Sequence, residues 1–298
     1  MFHRAAELIS PLYEALLAHV RNAEHVQADE TTLPVLDDDQ VQRGWMWVFA
    51  TTDALLFVHS ESRGKSTPKT VLGDTHGTLL VDGYTAYHSV TGEHRRARGG
   101  CWSHARRGLY DAKASNPDQA QAWIDRIDEL FYIEAVAIDD GIRGTSAHAA
   151  RRDAQSRPIV TALLADIAAY IETALDQHSA LYRAAKYIQN QSGPLQLFLT
   201  EPQIPIHNNL SERALRIVAL LRKNSLFAGH HEAAQRYAQL LSLLSTCRLH
   251  DVDPERWLAD VLIEVQRPVK GRVAEDLLPW NWKHDRGKAA KPLFDLTR

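Results

Sequence analysis

The 298-residue chain has only two cysteines and no long apolar run. Cys101 and Cys247 are too few for a disulfide framework, and a reducing compartment fits this cysteine content best. No apolar stretch reaches the roughly 18 residues that a membrane-spanning helix needs. The first 22 residues mix charged and apolar side chains, which is typical of an amphipathic helix and not of a signal peptide. These absences predict a soluble, cytoplasmic protein.

Several common catalytic and nucleotide-binding motifs are also missing. The sequence contains no P-loop, no G-x-G-x-x-G after a strand, no G-x-S-x-G elbow and no H-E-x-x-H. The net charge of -3 excludes a wholly basic surface but permits a local basic groove. With 45% apolar and 24% charged residues, the composition is that of a globular protein and excludes disordered, collagen-like and coiled-coil classes.

The hydrophobic period changes near residue 23, from helical to alternating. The segment before it predicts a helix that restarts at Ser10–Pro11 and ends near Asn22. The segment after it predicts a sheet in which a short polar turn joins two runs as a hairpin, with helices packed on it. The predicted strands are 24–31, 44–52, 54–62, 77–84 and 96–104, with a short helix at 65–73.

The chain turns helical from about residue 104. Apolar residues at helical spacing form one stripe in 157–190 that includes Ile171 and Leu175. The tail from Lys283 is basic and predicted to be loose. Further helices are predicted from Asn116–Pro117, from Asn209, over 231–249 and after Asp253–Pro254, with a break at Pro202 and Pro205.

Three acidic residues stand out by position. Asp29 is placed near the end of a strand, Asp82 at the end of another, and Glu212 in the first turn of a helix. Converging carboxylates are the oxygen ligands that Mg²⁺ prefers, and three can hold two ions for phosphoryl transfer. Each also has an ordinary interpretation: an exposed loop acid, a turn at Asp82–Gly83, and a capping-box partner of Asn209. Local pattern alone favours the ordinary roles.

Basic residues cluster around Glu212. Residues 207–240 hold five basic and two acidic side chains, although the whole chain is net acidic. Such a cluster beside carboxylates suits a polyanion, while the alternative is a solvated helix face. The cluster contains Arg213, Arg216, Arg222 and Lys223, preceded by Asn208 and Asn209, and a second block contains Arg95, Arg96, Arg98, Arg106 and Arg107.

Cys101 and His104 have the spacing of half a zinc site. No second pair at zinc spacing follows, so a structural thiol and a hydrogen-bonded histidine are the favoured interpretation.

Six blocks in this order resemble the catalytic portion of insertion sequence 66 family transposases. The resemblance extends from about residue 5 to 282, and six ordered motifs make it specific. It implies a ribonuclease H-like α/β fold, in which a mixed sheet is flanked by helices and a large all-helical insertion precedes the Glu-bearing helix. The blocks are VQADETTLPVLD, LLVDGYTAY, GCWSHARR, HNNLSERALR, RKNSLFAG and LLPWNW.

The resemblance also implies how the chain is divided. The expected order is an N-terminal helix (1–22), the first part of the core (23–110), the helical insertion (111–203), the second part of the core with the catalytic Glu (204–250), and a C-terminal helix and tail (251–298).

For the site, the resemblance implies a DDE triad of Asp29, Asp82 and Glu212. The two aspartates would share two Mg²⁺ or Mn²⁺ ions, and Glu212 would complete the second metal site. Water then cuts the element end, and the freed 3′-hydroxyl attacks target DNA. The basic cluster with Asn208 and Asn209 would hold backbone phosphates. Cys101 and His104 match a motif found between the second Asp and the Glu in several DDE groups.

The implied partners are DNA, as element ends and target, together with accessory proteins of the same element. A homo-oligomer assembled on DNA, without a membrane, and a bacterial, nucleoid-associated cytoplasmic location are expected. Full-length members carry an upstream zinc-binding and DNA-binding region, so specific recognition of element ends is expected to need such a segment or a partner in trans.

Two departures from the family pattern stand near the site. His207 occupies a position where members often carry Asp, and Ser225 one where they carry Trp. A catalytically silent remnant or DNA-binding accessory of the same fold is the first alternative. Another ribonuclease H-like nuclease, such as a resolvase, is the second, and the HNNLSERALR and LLPWNW blocks argue against it.

Overall fold

A computed structural model describes residues 2–37, 39–225, 228–267 and 272–286. The chain divides into two compact units. The first unit combines Met1–Thr75 with Leu210–Arg298, and the second is His76–Asn209. Both units contain strands and helices, so the α/β class predicted from the sequence is confirmed.

The elements, in chain order, are as follows. The strands are β1 (His25–Asp37), β2 (Gln40–Ala50), β3 (Leu55–Ser60), β4 (Thr78–Val81) and β5 (Ala97–Gly100). The helices are α1 (Phe2–Asn22), α2 (Ser66–Leu72), α3 (Trp102–Ala112), α4 (Pro117–Asp139), α5 (Ser146–Arg151), α6 (Arg157–Thr173), α7 (Ala180–Asn190), α8 (Ser192–Gln196), α9 (Asn209–Asn224), α10 (His231–Leu249), α11 (Pro254–Gln266) and α12 (Pro279–Arg286). Short 3₁₀ turns cover Thr85–Val90, Leu197–Leu199 and Ala274–Leu277, and a π-helical turn covers Arg152–Ser156.

In the first unit, β1, β2 and β3 form an antiparallel meander. The predicted hairpin of β2 and β3 is confirmed. β1 is longer than predicted, because its C-terminal half continues to pair with β2 as far as Asp37 opposite Gln40. Asp29 therefore lies inside β1, opposite Val48, and the expectation that it sits near a strand end is wrong.

One face of this meander packs against α9. Side chains alternate between the two faces of a strand, so Leu33 and Val35 share a face with Asp29. Leu33 and Val35 pack with Val48 of β2 and with Leu215 and Val218 of α9 in one buried cluster. The face of β1 that carries Asp29 is therefore the face that α9 covers.

Helix α10 protects the outer edge of β3. Ser242 Oγ accepts a hydrogen bond of 2.7 Å from the Phe57 backbone N–H. One turn later, Thr246 Oγ1 accepts a bond of 3.1 Å from the Leu55 N–H. An exposed strand edge offers unpaired backbone groups to other chains, and these two hydroxyls satisfy them. They also fix the C-terminal half of α10 against the start of β3.

Helix α1 does not restart at Ser10–Pro11 as predicted. It continues without a break from Phe2 to Asn22, with Pro11 inside it. Proline removes one backbone hydrogen bond and costs about 3 kcal/mol inside a helix. Ile9 and Leu12, on either side of the proline, are at most 1% exposed, and burial of this apolar stripe offsets the cost.

In the second unit, β4 and β5 pair in parallel with Val81 opposite Gly100. β5 ends at Gly100, and α3 begins at Trp102, so the strand predicted over 96–104 is wrong beyond residue 100. Glycine at position 100 allows α8 to pack closely on the end of β5, because a Cβ there would lie 3.1 Å from the Leu195 backbone N.

The helical character predicted after residue 104 is confirmed, with two corrections. α6 ends at Thr173, and Leu175 is fully exposed rather than on the buried stripe. Lys283 lies in α12, so the predicted loose tail does not begin there, and residues 287–298 lie outside the described part of the chain. None of the helices in the described part is long and apolar enough to cross a membrane.

A histidine pair predicts acid sensitivity. His59 Nε2 and His231 Nδ1 are 2.9 Å apart, and burial and the nearby His231 lower the pKa of His59 to about 4. An unfolded histidine titrates near pH 6.5, so it takes up a proton first as the pH falls. The neutral His59 therefore contributes fully to the free energy of unfolding above about pH 6.5. Between there and about pH 4 this contribution, about 2–3 kcal/mol, is lost.

Urea unfolding of the parent chain and of His59→Gln across this pH range measures the effect. The variant should lose the steep part of the dependence, whereas the exposed control His178→Gln should keep it. Parallel curves for parent and His59→Gln would contradict the assignment.

Candidate active site

Both ends of α9 are hydrogen-bonded to β1. At the start of the helix, the Leu210 backbone N–H donates to Gln27 Oε1 at 3.2 Å. Near its end, Arg222 Nη1 donates to the Thr32 carbonyl at 3.1 Å and to Thr32 Oγ1 at 2.6 Å. These bonds, together with the buried contact of Leu215, fix the helix along the strand.

The lengths of the two segments agree. From Leu210 to Arg222 a helix rises about 18 Å, and from Gln27 to Thr32 a strand rises about 17 Å. Glu212 is then about 3 Å beyond the first contact and Asp29 about 7 Å beyond it. These contacts join the two segments that carry predicted acids, with Asp29 inside β1 and Glu212 in the first turn of α9.

The residue after Asp29 is also acidic but points to the other face. Glu30 is 8% exposed, and one of its carboxylate oxygens accepts bonds from Arg63 Nε at 2.8 Å and Nη2 at 2.6 Å. The Arg63 guanidinium lies 5.1 Å from the centre of the Trp45 ring. Asp29 Oδ1 accepts a bond from the Glu30 backbone N–H at 2.9 Å. Glu30 is thus a paired, buried anchor that holds the strand beside Asp29.

Asp82 follows β4 directly, as the sequence predicts, in the second unit. Its Oδ1 accepts a bond of 2.9 Å from the Tyr84 N–H, which closes a tight turn. The next residue must be glycine, because a Cβ at Gly83 would lie 2.8 Å from the ring of Tyr187. Burial, and then the charge of Asp82, raises the pKa of Tyr187. The charge of Asp82 also favours the cationic form of Arg98, whose pKa burial lowers.

Cys101 and His104 lie near Asp82 in the second unit. Val81 and Gly100 are paired neighbours in parallel strands, so Asp82 and Cys101 leave the same edge of the strand pair. Cys101 is fully buried, and His104 is half-buried in the first turn of α3. The carboxyl ends of parallel strands are where α/β proteins place their ligands.

The four basic residues predicted on α9 have different surroundings. Arg222 is bound to β1, as described above. Arg213, Arg216 and Lys223 are exposed and follow one face of the helix, at spacings of three and seven residues. Three of the four therefore remain available to a ligand in this arrangement.

The second basic block serves mainly to hold the second unit together. Arg96 is fully buried and donates to the Thr78 carbonyl, and Arg98 donates to Gln191. Arg106 forms a two-point ion pair with Asp128, at 2.5 and 3.0 Å. The interpretation of this block as a surface for a polyanion is not supported for these three residues.

The residues just before α9 are largely internal. Asn208 is fully buried, and we leave it out of the proposed phosphate-binding surface. Asn209 is half-buried, and its Oδ1 lies 3.5 Å from Ser103 Oγ. His207 stacks on Phe131, and its Nδ1 accepts a bond of 3.4 Å from the Asn209 N–H. Histidine thus supplies an acceptor at the start of α9, where the family often has Asp.

Two family models match the chain in succession. Residues 1–236 match the model described as "Transposase IS66 family", and residues 242–280 match the "IS66 C-terminal element". The chain belongs to the insertion sequence 66 transposase family. The order of six motifs had predicted this membership, and it is confirmed.

Curated relatives of this family member come from Sinorhizobium fredii (strain NBRC 101917 / NGR234). Uncharacterized protein y4jD is 34% identical over 96% of the chain and 59% of its own length. Uncharacterized protein y4qI is 32% identical over 96% of the chain and 56% of its own length. Uncharacterized protein y4hP is 31% identical, over 94% and 54%. The chain thus spans little more than half of these relatives. No solved structure matches it.

The sequence gives no local signal for several residues that hold together the elements around the candidate acids. Gln27, Arg63 and Gln191 were not predicted, because each is a common polar residue whose partner is distant in the sequence. One signal was available for Glu30: it interrupts the alternation of β1 with an acid on a face whose neighbours, Val26 and Ala28, are buried. A buried acid of this kind needs a cationic partner, here Arg63.

The Glu30–Arg63 pair predicts a stability effect. In Arg63→Met the buried carboxylate loses its cation, and the free energy of unfolding should fall by about 2 kcal/mol. Arg157→Met is the matched control: it breaks a pair with Asp153 whose side chains are 45% and 67% exposed, so it should cost less than about 0.5 kcal/mol. Urea unfolding measures both, and equal effects would contradict the anchoring role.

Cys101 and His104 predict a protein without structural zinc. The purified chain should contain no stoichiometric zinc by elemental analysis, and Cys101→Ser should leave its metal content unchanged, since tetrahedral zinc sites need four ligands. One zinc per chain that disappears in Cys101→Ser would overturn this prediction.

Proposed function

We propose that this chain is the catalytic domain of a metal-dependent transposase, with Asp29, Asp82 and Glu212 as its catalytic acids. The observation that supports the proposal is the attachment of α9 to β1, because it joins the helix that carries Glu212 to the strand that carries Asp29. Asp82 belongs to the second unit, at the end of β4, and its approach to the other two acids is part of the proposal.

The donor set fits hard divalent cations. Three carboxylates offer oxygen ligands, which Mg²⁺ and Mn²⁺ prefer, whereas sites for softer metals use thiolate and imidazole. Two bound ions would supply charge neutralisation at the reacting phosphate and a lowered pKa for an attacking water. Asp29, Asp82 and Glu212 would hold these ions.

The remaining residues of the site position the DNA. Arg213, Arg216 and Lys223 on the exposed face of α9 bind backbone phosphates, which fixes the strand without reading its sequence. The half-buried Asn209 at the start of α9 adds a neutral donor. The substrates are element ends and target DNA, and no covalent protein intermediate is required. The five strands then belong to a ribonuclease H-like core.

The experiment is a strand-cleavage assay on plasmid and labelled duplex DNA with the purified chain. Nicking should require Mg²⁺ or Mn²⁺ and fall at least about a hundredfold in Asp29→Asn, Asp82→Asn and Glu212→Gln, because each change removes a metal ligand. Asp118→Asn and Glu172→Gln remove a charge from exposed positions and should retain full activity.

The outcome separates this proposal from a silent fold. Metal-independent nicking, or equal activity in the triad variants and the controls, would contradict the assignment. A parent chain that neither binds Mn²⁺ nor nicks DNA would favour the catalytically silent alternative.

A further inference from the structure

A surface groove of about 370 Å³ lies between α9, α10 and the start of β3, wholly within the first unit. Leu55, Ile217 and Leu249 supply an apolar floor, and Arg213 and Arg248 stand at its margins. We call it the α9–α10 groove. Its volume falls in the range of about 300–1,000 Å³ that is typical of small-ligand sites.

The two arginines of the groove are available to an anion. Arg213 and Arg248 are both exposed, and within the described residues the structure records no hydrogen bond or ion pair for either side chain. Arginines elsewhere in the first unit, such as Arg63 and Arg222, are held by protein acceptors. The two unpaired guanidinium groups can bind an anionic group, and the apolar floor can pack against a flat apolar group of the same ligand.

The walls of the groove are preformed. α10 is fixed to β3 through Ser242 and Thr246, close to Arg248. α9 is fixed to β1 at Leu210, one turn before Arg213. The free-energy cost of ordering this site when a ligand binds should therefore be small.

The groove is a neighbour of the proposed catalytic acid on the same helix. Successive helical residues are about 100° apart, so Glu212 and the groove flank the exposed stripe of Arg216, Leu220 and Lys223 on opposite sides. A DNA strand with one phosphate at Glu212 can cross this stripe and reach Arg213 and Arg248.

We propose that the α9–α10 groove binds one unpaired nucleotide of a DNA strand, with its phosphate on Arg213 and Arg248 and its base on the apolar floor. This rests on the proposed function, since it takes DNA as the ligand. Duplex DNA presents phosphates but keeps its bases stacked inside, so it would fill the charged margins and leave the floor empty. Single strands are bound by a basic groove combined with surfaces on which bases pack.

Equilibrium binding of a labelled single strand and the matching duplex, without divalent metal, tests the groove. Arg248→Gln should weaken single-strand binding about tenfold and lower the slope of log affinity against log salt by about 0.7, the loss of one phosphate contact. Leu249→Ser should weaken binding of the single strand but not of the duplex, and should leave the salt slope unchanged.

Arg143→Gln is the control, because Arg143 is an exposed arginine of the second unit whose loss should change neither affinity. Unfolding temperatures confirm that the variants fold. Unchanged single-strand affinity in Arg248→Gln, an equal loss for both DNA forms in Leu249→Ser, or no single-strand binding by the parent would overturn the proposal.

These outcomes are separable from the proposed function. A parent that nicks duplex DNA with metal but shows no groove-dependent binding removes the groove and keeps the catalytic assignment. If the chain binds single strands through the groove but does not nick DNA with metal, the groove proposal stands and the catalytic assignment is contradicted.

Discussion

The attachment of α9 to β1 is the constraint on which the candidate site depends. A polar contact at each end of the contact region, Gln27 with Leu210 and Thr32 with Arg222, spans matching lengths of strand and helix. Between them, Leu215 and Val218 pack on the strands. A shift of one residue along either element would break both polar contacts at once. The position of α9 along β1 therefore follows from packing, before any metal is bound.

Other polar contacts stabilise the strands of the first unit. Glu30 and Arg63 hold β1 on the face opposite to Asp29, and Ser242 and Thr246 hold α10 against β3. Polar groups inside a protein cost free energy unless they are paired, so these contacts specify one register of strand and helix.

Arginine serves two purposes in this chain, and sequence spacing does not separate them. Arg222 and Arg213 lie in the same helix, yet one binds a strand and the other is exposed. Arg96 and Arg106, which the sequence grouped in a basic block, are internal or paired. Charge counts along the chain therefore overestimate the binding surface, and helix periodicity combined with burial identifies the part of it that is free.

The elements with strong local signals could be predicted from the sequence. Apolar periodicity predicted α10 with its observed bounds, and the Asp253–Pro254 pair predicted the start of α11. Signals that depend on distant partners were lost: β1 extends past residue 31 because β2 pairs with it, and α1 tolerates Pro11 because its apolar stripe is buried. The candidate acids stand out by their positions in the sequence and were assigned through the resemblance of six short motifs. Gln27 and Arg63, which bind α9 and Glu30, carry no local pattern.

Anomalous diffraction from crystals of this chain soaked in Mn²⁺ tests the central claim most directly. We expect manganese peaks bound by carboxylate oxygens of Asp29, Asp82 and Glu212. Peaks at other residues, or a triad whose acids lie apart and bind no metal, would contradict it.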